Sequence, residues 1–199
     1  MRKSILKGFL LLLFFLTFQS QLVSQDKRFI TFYATTEGIV GHAFVSFVRE
    51  DPDLMQTTMK DGTWGLYPAQ KEAGGASFFI GEVPGEIRDD LEARRDVGRT
   101  FEVSKEEYQE ALGIRDKWEN ISYELTERDC ISFVEEVAKV LDHKLNITYR
   151  ELFDSPSEYI LKLKELNKEY NPNISSNGLI PSELCQYQAL LDSAATPDE

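Results

Sequence analysis

The spacing of apolar residues changes once along this chain, and that change limits the folds open to it. Up to residue 103, β-branched and aromatic residues come in short runs punctuated by turn signals. Residues 29–33 and 43–48 are predicted strands separated by the turn-like stretch Thr35-Thr36-Glu37-Gly38. Asp51-Pro52-Asp53 closes the second, because proline removes a ladder donor. Residues 63–67 form a third strand ended by Pro68. A fourth is predicted over 77–83, between Gly74-Gly75 and Pro84-Gly85, and a fifth over 99–103.

From residue 104 the apolar positions recur at helical spacing. Ser104-Lys105-Glu106-Glu107 is a capping box that opens a helix to about Trp118. A second helix starts near Asp129 or Cys130 and runs to Leu141, with Ile131, Val134, Val137, Ala138 and Leu141 on one side. Thr148-Tyr149-Arg150-Glu151 and Ser155-Pro156-Ser157-Glu158 are two further capping boxes. The latter opens a helix to about Tyr170, with proline at its favoured first position. A short helix is expected within 181–192. Strands first and helices later predict a single α+β domain, a small antiparallel sheet packed against helices, over residues 25–193. Residues 194–199 read as a disordered tail.

Residues 1–24 read as a secretory signal peptide. Arg2, Lys3 and Lys7 precede an apolar run over 8–18, and a polar exit follows around Ser20 and Ser24. The run is about half the roughly 20 residues that a spanning helix needs. The protein is therefore expected to be exported, to the periplasm or outside the cell. Without those residues the chain carries 19 basic and 34 acidic residues. Nucleic acid and anionic membrane surfaces are poor partners for such a charge.

Two cysteines, Cys130 and Cys185, are too few for a disulfide framework, and no Cys/His spacing resembles a metal site. No cofactor motif is present either. The exported compartment nevertheless permits a bridge between the two. It would close a loop of about 55 residues and contribute about 4 kcal/mol.

The chain has two histidines. His143 follows the second predicted helix, where the negative end of the helix dipole explains a basic group. His42 stands at the entrance of the strand Ala43-Phe44-Val45-Ser46-Phe47. Cys130 falls at a predicted helix N-terminus, where unpaired backbone N–H groups and the dipole favour a negative sulfur. A nucleophilic thiol needs that setting and a base within hydrogen-bond reach, and His42 is the histidine placed to be that base. A small buried side chain opening an amphipathic helix accounts for Cys130 equally well.

The segment Asp129-Cys130-Ile131-Ser132-Phe133-Val134 resembles the stretch around the nucleophile of NlpC-type hydrolases, which have a papain-like fold. Residues 29–33 followed by His42-Ala43-Phe44-Val45-Ser46-Phe47 resemble the strand pair whose second member begins with that family's catalytic histidine. Histidine precedes cysteine here, which is the order of the circularly permuted branch. Such a permutation leaves the fold intact when the chain ends lie close together. The resemblance covers roughly residues 29–142, and its specific part is the two short motifs. It departs at Ser132, where a glycine is usual.

The resemblance implies Cys130 as nucleophile and His42 as general base. It also places a third, orienting residue on the strand after the histidine strand, over residues 63–67. No His, Asn, Gln, Asp or Glu lies there, which leaves Tyr67 within the strand, Asp61 just before it, or a backbone carbonyl. Tyr33 and Trp64 are the candidate substrate-binding aromatics. The implied substrate is a peptide or acyl compound such as a cell-wall peptide, and permuted relatives include lipid-directed acyl hydrolases and transferases. Two rivals stand beside this reading: a secreted structural or binding domain with a Cys130–Cys185 disulfide, and an inactive relative that binds through the old cleft.

Overall fold

Alternation along the strands gives the sheet an apolar face with a two-residue repeat. Ile30, Phe32 and Ala34, then Ala43, Val45 and Phe47, are all buried and share one core cluster with Leu66 and Phe101. The computed structural model describes residues 26–38, 40–51, 56–69, 81–151 and 154–170. The expected signal peptide, the last short helix, the tail and Cys185 lie outside these residues.

The strands are β1 (Arg28–Thr35), β2 (His42–Asp51), β3 (Gln56–Pro68), β4 (Val83–Asp89), β5 (Val97–Val103) and β6 (Ser122–Tyr123). They form one antiparallel sheet in the order β5-β1-β2-β3-β4-β6. Three helices pack against it: α1 (Lys105–Trp118), α2 (Cys130–Lys139) and α3 (Pro156–Leu166). The fold is thus α+β, with Tyr108, Phe133, Val134, Val137, Tyr159 and Ile160 filling the space between helices and sheet.

Helix starts follow the local chemistry. Ser104 and Ser155 each form a complete capping box, with Glu107 and Glu158 reaching back to the cap N–H. Asp129 caps α2 by accepting from the N–H groups of Ile131 and Ser132. The box at residues 148–151, in contrast, opens no helix. Arg150 there turns to Asp129, 2.6 Å away, and the Glu151 N–H donates to Asp154. The third helix ends at Leu166 rather than near residue 170, and Asn167 caps it by donating to the Leu163 carbonyl.

The fourth strand also differs from expectation. Residues 77–80 lie outside the described residues, and Pro84-Gly85, expected to end a strand, sits inside β4. Among the described residues, the sheet holds beyond β4 only the two-residue β6, so the missing proline donor costs little there. At Gly85 a Cβ would stand 2.3 Å from the Ile121 carbonyl, so the close approach of β6 requires glycine. The consequence is that β4 runs on to Asp89 and delivers Asp90 to the neighbourhood of His42.

Candidate active site

His42 opens β2, directly after Gly41, whose positive φ of 73° suits glycine. Its ring lies 4.0 Å from that of Tyr67 and stacks on Phe44 with centroids 5.8 Å apart. Nε2 of His42 is 3.1 Å from Oδ2 of Asp90. A carboxylate can only accept, so Nε2 carries the hydrogen and Nδ1 is the nitrogen left for another partner.

Asp90 follows the last residue of β4. Its backbone N–H donates to the Thr63 carbonyl at 2.7 Å, which ties the turn to β3. Its other carboxylate oxygen, Oδ1, accepts from the Tyr67 hydroxyl. The side chain is almost fully buried, and its two oxygens are divided between His42 and Tyr67. Gly65 makes room for this arrangement. A Cβ there would fall 2.2 Å from both His42 Nε2 and Asp90 Oδ2.

Cys130 is the first residue of α2 and a buried, free thiol. Burial alone lowers the pKa of His42. Hydrogen bonds to Asp90 and to Cys130, together with the charges of both, more than reverse this and raise it to about 9. The Cys130 side chain is thus one of the two groups that raise the imidazole. Tyr67 is shifted upward by burial and by Asp90, so its hydroxyl stays protonated as a donor. Tyr123 is raised by burial and by the charges of Cys130 and Asp129.

The Asp129 cap fixes the cysteine. Oδ1 takes Ile131 and Ser132, while Oδ2 takes the Thr126 N–H and Arg150 Nη1. The Phe133 N–H returns to the Asp129 carbonyl. As the first residue of α2, Cys130 carries an N–H that has no acceptor within the helix. A cavity of 450 Å³ opens beside the cysteine, between α2, the N-terminus of α3 and the loop before His42.

The structure brings His42 and Tyr67 together around Asp90, Cys130 acts electrostatically on both, and Asp61 lies outside this group. Asp61 accepts from the Tyr108 hydroxyl and, through its carbonyl, from the Trp64 indole. Trp64 packs on Gly62 and under Arg115, and Tyr33 packs between Phe44 and Arg95. Neither aromatic is among the residues lining the cavity. His143 lies exposed beside Glu107 at 2.9 Å.

Sequence reasoning missed Asp90. Its signal is an acidic residue just past a strand, and it becomes readable only once Ile87 and its neighbours are placed in that strand. Among the described residues no group of three His, Cys, Asp or Glu side chains is arranged to hold a metal ion, and no helix is long and apolar enough to cross a membrane. Compared with family models, curated proteins and solved structures, the chain matches nothing.

Proposed function

We propose that the protein is an exported thiol hydrolase of circularly permuted, NlpC-type papain-like fold, cleaving amide or related acyl bonds. The observation that carries this reading is the position of His42, whose ring bonds to Asp90 at one nitrogen and whose pKa the Cys130 side chain helps to raise. A buried thiol at a helix tip, a base and an orienting carboxylate are the three parts that nucleophilic acyl transfer requires.

In this mechanism the Cys130 thiolate attacks the acyl carbon and forms a C–S bond. The carbonyl electron pair moves to oxygen and is met by the Cys130 N–H. Protonated His42 gives its Nδ1 proton to the leaving amine as the C–N bond breaks, leaving a thioester. Neutral His42 then takes a proton from water, whose oxygen attacks the thioester and releases acid and thiolate. Asp90 holds the ring in the tautomer that serves both steps and stabilises its cation. Tyr67 supports this by fixing Asp90 rather than by touching substrate.

The test is labelling by a thiol-reactive acyl probe. Cys130→Ala and His42→Ala should each abolish labelling while the circular dichroism spectrum stays that of the folded protein. Undiminished labelling of the folded Cys130→Ala variant removes the assignment.

A further inference from the structure

Most of the surface that the cavity beside Cys130 exposes is apolar. Val40, Tyr123, Leu125 and Pro156 give it apolar surface, and Cys130 lies on its wall. Its size falls within the range of pockets that hold small organic groups.

The charged residues of the lining are each paired within the protein. Asp129 is saturated by three backbone N–H groups and Arg150. Asp154 accepts from Lys162 at 2.7 Å and from the Glu151 N–H. Arg150 pairs with Asp129 through Nη1, and its Nε, which has no hydrogen-bond partner among the described residues, is closed to solvent and so is not presented to the cavity. An incoming carboxylate would meet the lone pairs of Asp129 and Asp154, and an incoming ammonium would compete with Arg150 and Lys162. An uncharged apolar group displaces no such contact and gains burial.

We infer that this cavity takes an uncharged, apolar group of the substrate, adjacent to the carbonyl that Cys130 attacks. The inference rests on the thiol-hydrolase reading and adds to it a substrate class, one that excludes charged acyl groups. A fatty acyl chain and an apolar amino-acid side chain share this chemistry.

The experiment uses p-nitrophenyl esters of acetate, butyrate, hexanoate and octanoate, with the adipate monoester as the charged counterpart of hexanoate. The inference expects kcat/KM to rise about two- to fourfold per methylene between acetate and hexanoate. Adipate should be at least about tenfold poorer than hexanoate. Val40→Asp, at the exposed rim, should flatten the series. An N-acetyl-leucine ester compared with octanoate then separates the sources: preference for leucine assigns a peptide side chain, preference for octanoate a fatty chain, and either supports the inference. A flat wild-type series, or preference for adipate, overturns it. Alkylation of Cys130 by N-alkylmaleimides of growing chain length reads the same cavity without turnover. Rates that rise with length in a protein that hydrolyses no ester would keep the cavity assignment and remove the hydrolase reading. Rates flat with length in a protein that does hydrolyse esters would do the reverse.

Discussion

A Cβ placed on Gly65 would lie 2.2 Å from Nε2 of His42, so the absence of a side chain on β3 is a condition of the His42–Asp90 hydrogen bond. Gly65→Ala should push the imidazole from Asp90. A displacement of this kind costs about a hundredfold in rate. Turnover and near-ultraviolet circular dichroism check this: activity should collapse while the tertiary signal persists.

Asp90→Asn keeps the shape at Asp90 and removes its charge. His42 loses one of the two partners that raise its pKa to about 9. The high-pH limb of kcat, which reports loss of the His42 proton, should move downward by about one unit or more. Tyr67→Phe retains the ring against His42 and removes only the hydroxyl, so its effect should be smaller. Paired pH profiles and the NMR titration of the His42 ring measure both.

The raised pKa also links stability to pH. His42 binds its proton more tightly folded than unfolded, so the contribution is fully present below 6.5 and is lost as pH rises to about 9. Its size is on the order of 3 kcal/mol. Urea denaturation across that interval should show stability falling with rising pH, and His42→Asn should remove most of the slope. An equal slope in the variant contradicts the assignment.

Asp129→Ala removes a helix cap and strands Arg150, whose side chain is 13% exposed. The cap is worth about 1 kcal/mol and the unpaired buried charge about 3 kcal/mol or more. Urea denaturation should register a loss of about that sum, making this the most destabilising of the substitutions considered. A loss under about 1 kcal/mol would show that Arg150 finds other partners.

Much of this site is legible before folding because its parts are local. His42 at a strand mouth and Cys130 after a capping aspartate follow from residue type and spacing within a few positions of each. The third member is not local. Asp90 reaches His42 only because β4 continues through Pro84 and Gly85, which the proximity of the two-residue β6 permits and no neighbouring residue announces. Thr148 shows the opposite failure: a sound capping signal is overridden because Arg150 is drawn to a buried carboxylate. Trp64 and Tyr33 pack on arginines, and Tyr33 also on Phe44, rather than at the cavity.

In the proposed reaction the Cys130 sulfur forms a covalent bond to an acyl carbon with His42 as its proton partner. Brief exposure of the wild-type protein to a p-nitrophenyl ester, an acid quench and peptide mapping by mass spectrometry test it directly. The expected result is an acyl adduct on Cys130, absent from the folded His42→Ala protein. An adduct carried by another residue, or one on Cys130 that forms equally fast without His42, would contradict it.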